Sequence, residues 1–124
     1  MSSSTKIDLI TFDSKVGEFA LYLVESGPWE INLLQQRAES LEKRVFNSLE
    51  VILLGLLAAK YPESVGKPVR VQVDLHDGAP DLLYGVVDKV RNKIDEDGGV
   101  QARIQSSHFI KGFRLVTREQ LGRS

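Results

Sequence analysis

The chain has 124 residues and a mass of 13.8 kDa, the size of one domain, and its 42% hydrophobic and 27% charged content excludes collagen-like, mucin-like and disordered classes. Sixteen Lys and Arg against seventeen Asp and Glu leave a net charge of −1, so no overall field attracts nucleic acid or an anionic membrane. The absence of cysteine removes disulfides, thiol nucleophiles, zinc ribbons and iron–sulfur ligation together.

Residues 1–5 read as a flexible lead without an apolar core, so no secretory signal is expected there and the cytoplasm is the expected location. Residues 6–13 and 18–25 are strand-like runs rich in Ile, Leu, Phe and Val, joined by a loop of hairpin length in which Gly17 supplies a positive φ. The first run breaks its own alternation, since Ile7 and Leu9 fall on one face and Ile10 and Phe12 on the other, which calls for a bulge or for cover on both faces. In the second run Phe19, Leu21 and Leu23 share one face and Ala20, Tyr22 and Val24 the opposite one, the pattern of a central strand.

Ser26, Gly27, Pro28, Trp29 and Glu30 carry a helix-entry signal, with Pro28 in the first turn. Leu34, Ala38, Leu41, Val45, Leu49, Ile52 and Leu56 then recur at three- and four-residue intervals, and Tyr61-Pro62 stops the run. An unbroken helix over residues 29–61 would be about 50 Å long, against a diameter of roughly 35 Å for a domain of this size. It must therefore bend or break, with Asn47-Ser48 and Gly55 the weakest points, or project onto another chain. After Leu49 the apolar residues surround the helix, and nine of the eleven positions 49–59 are apolar, too few to span a bilayer and too many for one sheet to cover.

Residues 68–75 alternate with Val69, Val71, Val73 and Leu75 on a core face and Arg70, Gln72 and Asp74 on a wet one. A second helix is expected over residues 80–95 with Leu83, Val86, Val87, Val90 and Ile94 inward, ended by Gly98-Gly99; Val100, Ala102 and Ile104 then predict a fourth strand parallel to the third. Residues 109–116 either turn at Lys111-Gly112 into a fifth strand or wander over the surface, and Thr117-Arg118-Glu119-Gln120 has the form of a capping box. The reading is a single α/β domain over residues 6–116 with a tail at 117–124: a mixed four- or five-stranded sheet, order β-β-α-β-α-β, with two helices on one face.

The hairpin leading into a Trp-led helix, then Leu34-Gln35-Gln36, then the run from Ala58 through Lys60-Tyr61-Pro62-Glu63-Ser64-Val65-Gly66-Lys67 into the Val-rich strand, resembles a family of small uncharacterised bacterial proteins, a domain of unknown function. The chain departs from that pattern at Leu53-Leu54-Gly55, where the family carries a small polar step. The resemblance implies a shared α/β fold, and it carries over no activity and no catalytic residues.

No Walker or dinucleotide loop, His-Glu-x-x-His, Gly-x-Ser-x-Gly or EF-hand loop occurs in the sequence. The best candidate for ligand binding is Asp74, His76 and Asp77, at the carboxyl end of a parallel strand and opposite a helix N-terminus, where ligands gather in open α/β sheets. A His flanked by carboxylates suits a general base or a divalent cation, but Asp77-Gly78 also makes a turn and strand phase turns His108 away from His76, so a structural role and no tight metal site are expected. The acids Asp95, Glu96 and Asp97 read as a solvated helix stop, and Trp29 as a core staple. Phe12, Tyr22 and Val24 floor a groove on the second sheet face or an oligomer contact, and Leu53, Leu54 and Leu57 form the surplus apolar side of the long helix.

Two functional classes survive. The first is a small cytoplasmic, non-enzymatic interaction protein that forms a homodimer or meets a protein partner and uses no cofactor. The second is a small-ligand or metal-dependent enzyme built on Asp74, His76 and Asp77. Nucleic-acid binding through the basic end ranks third: Arg103, Lys111, Arg114, Arg118 and Arg123 face a single acid, Glu119, but aromatic residues are too sparse there for stacking.

Overall fold

A computed structural model describes residues 7–121, so the lead at 1–5 and Arg123 lie outside the described residues. Among the described residues the strands are β1 (Leu9–Asp13), β2 (Glu18–Glu25), β3 (Lys67–Leu75) and β4 (Ile110–Thr117). The helices are α1 (Leu34–Leu53), α2 (Leu56–Lys60), α3 (Asp81–Glu96), α4 (Gly98–Gln105) and the single turn α5 (Arg118–Leu121). The four strands form one mixed sheet in the order β1-β2-β3-β4, with β1 antiparallel to β2 and β2, β3 and β4 mutually parallel. The crossovers from β2 to β3 and from β3 to β4 advance in the same direction along the sheet. A constant crossover hand therefore puts both helical connections on one face.

That face holds the core. Phe19, Leu21 and Leu23 lie beside Val69, Val71 and Val73, with Leu115 opposite Val71 in turn, and Leu41, Val45, Leu49 and Ile52 of α1 and Leu83, Val87, Val90 and Ile94 of α3 close over them. α1 packs on β2 and β3, and α3 on β3 and β4. The fault in the first strand disappears because pairing begins at Leu9: Ile7 lies ahead of the strand and packs on the core. Within β1, Ile10 sits opposite Leu21 and Phe12 opposite Phe19, so both point to the helix-bearing face. Phe12 is thereby separated from Tyr22 and Val24, which occupy the other face, and the three residues do not floor one groove.

The long helix breaks at Gly55. Its φ of +84° is left-handed, and a Cβ there would lie 2.6 Å from the Phe109 ring, so the position needs glycine both for its backbone and for the close approach. The 20 residues of α1 span about 30 Å, which fits the domain. The change of direction turns Leu57 and Ala58 inward. Leu57, expected at an oligomer surface, is 3% exposed in the chain's own core, Leu53 is half-buried against that core, and Leu54 remains 63% exposed. At the other end helical structure starts at Ile31, so Pro28 and Trp29 precede the helix and the expected entry is three residues early.

Residues 100–104 are helix α4, not a strand. The Asp97 carboxylate accepts a hydrogen bond from the Val100 N–H at 3.0 Å, an N-cap that makes Gly98-Gly99 a first turn where a stop was expected. Val100 and Ile104, four residues apart, both face the core, whereas Ala102, on the same strand phase, is exposed. The strand role passes to residues 110–117. A bulge sets Lys67 opposite Ile110 and Pro68 opposite Gly112, and this slip aligns Phe113 with Val69 and Leu115 with Val71. The capping box forms as read: the Thr117 N–H donates to Gln120 Oε1 at 2.8 Å and the Gln120 N–H to Thr117 Oγ1 at 3.4 Å.

Candidate functional site

At the carboxyl end of β3 the three residues singled out from sequence are tied into the turn that follows. Asp77 has a φ of 58°, and its Oδ2 accepts from the Gly27 N–H at 3.0 Å. The Trp29 indole N–H donates to the carbonyls of both His76 and Asp77 at 3.0 Å, and the His76 N–H donates to the Glu25 carbonyl at 2.9 Å. Asp74 Oδ1 accepts from Gln72 Nε2 at 2.8 Å. Trp29 thus acts as a polar strap between the end of β2 and the end of β3, and the Arg37 guanidinium stacks 4.2 Å from its ring centroid.

His108 does not join this group. It precedes β4, which runs parallel to β3 from the Lys67 end, whereas His76 follows the last residue of β3. A strand of nine residues at about 3.3 Å each separates the two ends. No three His, Cys, Asp or Glu side chains gather in a metal-holding group among the described residues.

The sheet face away from the helices carries an array that strand phase alone does not reveal. Arg70, expected on a wet face, is 3% exposed, and Gln72 is 5% exposed. They lie on an inner strand, where side chains of β2 and β4 shut out water. The Arg70 guanidinium donates to Asp13 Oδ2 at 2.9 Å, Glu18 Oε1 at 3.0 Å, Gln72 Oε1 at 3.1 Å and the Tyr22 hydroxyl at 3.2 Å. Arg114 reaches both Glu18 oxygens, at 2.8 and 2.9 Å. Burial pushes the Glu18 carboxyl up, but the hydrogen bonds from Arg114 and Arg70 outweigh it and hold the group below its ordinary range. Asp13 is held low chiefly by its bond from Arg70. Two arginines and two carboxylates are mutually satisfied, an arrangement suited to fixing a surface and not to moving protons. The signal available in sequence was the recurrence of opposite charges at Asp13, Glu18, Arg70 and Arg114, on the same face of neighbouring strands.

The third feature is the edge at β1. The two long helices pack mainly on β2, β3 and β4, and β1 forms the border of the sheet, with Ile10 half-buried against the core. Phe12 is 42% and Leu9 56% exposed. A groove of about 380 Å³ opens beside Ile10 and Phe12, walled by Phe19 and Tyr61 and rimmed by Glu63 and Lys67. The Phe12 and Phe19 ring centroids are 5.3 Å apart, and Phe19 and Tyr61 6.4 Å. A second groove of similar volume, between α1 and α3, sets Gln35, Glu39, Glu42 and Lys89 around an apolar floor of Ala38, Leu82 and Val86, and its Glu42 is already bonded to Lys93 at 2.7 Å.

Comparison with known proteins yields no match, whether to a family model, a curated protein or a solved structure. No helix among the described residues is long and apolar enough to cross a membrane.

Proposed function

We propose that this protein is a non-enzymatic interaction module that works as a homodimer, and that β1 is its docking edge. One observation supports the reading above all: with the long helices packed mainly on β2, β3 and β4, a strand edge, two large exposed apolar side chains and an aromatic groove lie together on one border of the sheet. An edge strand offers a row of unpaired backbone groups and is a template for another chain unless guarded. The opposite border is guarded, since Lys111 and Arg114 stand on β4. Between Leu9 and Asp13 there is no Lys, Arg or Pro.

Of the set Leu53, Leu54, Leu57, Phe12, Tyr22 and Val24, only Phe12 lies on the proposed docking edge, since the others stand on β2, at the end of α1 or in α2. The Asp74, His76 and Asp77 group is better described as a structural corner, because the two carboxylates accept from Gln72 and from the Gly27 N–H, and the His76 and Asp77 carbonyls hold the Trp29 indole. Kinship with the small bacterial proteins that the chain resembles would add a shared fold to this proposal and no chemistry.

Light scattering during gel filtration tests the reading. At tens of micromolar the mass is expected at about twice 13.8 kDa, and Phe12→Lys is expected to return it to that of one chain without loss of helical circular dichroism. A single-chain mass for the unaltered protein, or a dimer indifferent to Phe12→Lys, would overturn it.

A further inference from the structure

We infer that two copies join by pairing β1 antiparallel to β1 of a second copy, with Thr11 on the two-fold axis, so that two four-stranded sheets become one of eight strands. The inference rests on the reading of β1 as the docking edge and adds which partner occupies it and in what register.

The parity of the strand restricts the choice. Directly opposed residues of an antiparallel pair point to the same face, so a two-fold axis perpendicular to the sheet must pass through a residue and not between two. Of the possible centres only Thr11 pairs all five residues of Leu9–Asp13. It sets Ile10 of each copy opposite Phe12 of the other, twice, on the helix-bearing face. A β-branched residue across from an aromatic one is a favourable cross-strand pair, and here each pair would close the open side of the groove at Phe19 and Tyr61. On the other face Thr11 meets Thr11, and Leu9 meets Asp13.

Charge permits the approach. Asp13 is the only charged residue in the strand, and Arg70 of its own chain neutralises it at 2.9 Å. Asp8, just before the strand, is paired with Arg44 at 2.9 Å. Two copies therefore meet along β1 without uncompensated like charges. Pairing β4 with β4 would instead bring Lys111 of each copy onto one shared edge, which disfavours that edge even with Arg114 bonded to Glu18.

Because the chain has no cysteine, Thr11→Cys places a single thiol on the proposed axis. Opposed Cα atoms in an antiparallel pair lie about 4.5–5.5 Å apart, within disulfide range. Leu9→Cys serves as the control, since in this register the two Leu9 positions are offset by four residues, about 13 Å. Mild oxidation of the full chain is expected to convert Thr11→Cys almost completely to a covalent dimer of unchanged circular dichroism, and to leave Leu9→Cys at the level of denatured chain. If the unaltered protein is dimeric by mass but Leu9→Cys crosslinks as well as Thr11→Cys, or neither does, this register is wrong while docking survives. If the unaltered protein is a single chain in solution, both fall, and a strand from another protein becomes the occupant to seek.

Discussion

Arg70 shows how one side chain can organise a sheet face. Placed on an inner strand, it cannot reach bulk water, and a buried guanidinium without partners would cost several kcal/mol. Asp13 and Glu18, on either side of the hairpin loop, supply the compensating charge and so tie the hairpin to β3. Arg70→Ala is expected to destabilise the fold by about 3 kcal/mol, since it leaves Glu18 buried with Arg114 alone. The pH dependence follows from the direction of the carboxylate shifts. Glu18 and Asp13 titrate lower in the folded chain than their ordinary values of 4.5 and 3.8, so the stability they contribute is complete above those values and is lost as pH falls below them. Denaturant titrations from pH 7 down to pH 3 are expected to show a steeper loss for the unaltered chain than for Glu18→Gln. Parallel curves would contradict the assignment.

At the scale of elements, the path of the chain turns on two local details. Gly55 ends α1 and starts α2, and its substitution tests whether the break is required. Gly55→Ala is expected to cost about 2–5 kcal/mol, the left-handed backbone penalty together with displacement of the Phe109 ring. A change near zero by chemical denaturation would mean that the helix can run through that point. The break was readable, because a helix of 33 residues does not fit a domain of this size and Gly55 was one of two weak points. β3 and α3 were readable for a simpler reason, since each carries one unambiguous period, and the hairpin was readable from two strand-rich runs joined by a short loop that ends in Gly17. Residues 100–104 were not. Val100, Ala102 and Ile104 satisfy a period of two, but Val100 and Ile104 also satisfy a spacing of four, and the decision lay with Asp97, whose role as a cap is invisible in a run of three acids. With that strand misplaced, the β4 segment stayed open between a fifth strand and a surface path, and the phase assigned to His108 was counted from a strand that is a helix. The Arg70 array was hidden in the same way, since alternation tells which face a residue takes but not whether neighbouring strands will bury it. Asp74, His76 and Asp77 were correctly placed at a strand end; what sequence could not supply was the Trp29 indole that occupies the His76 and Asp77 carbonyls.

For the whole molecule, the apolar surplus near residues 49–59 is smaller than it looks along the chain, because the turn at Gly55 folds Leu57 and Ala58 into the core. The basic end is likewise partly spent: Arg103 is bonded to Glu50 at 2.7 Å and Arg114 to Glu18. What the fold leaves exposed is a border, with Leu9 and Phe12 of β1 on the sheet edge and the aromatic groove open. The central claim is that this border is closed by another copy of the chain. Amide hydrogen exchange, read residue by residue across a dilution series, tests it most directly, because amides on the outer side of an edge strand exchange freely unless a second strand bonds them. The outward amides of β1 are expected to become more protected as protein concentration rises, while those of β4 do not change. Outward amides of Leu9–Asp13 that exchange freely at low micromolar and at millimolar concentration alike would contradict the account.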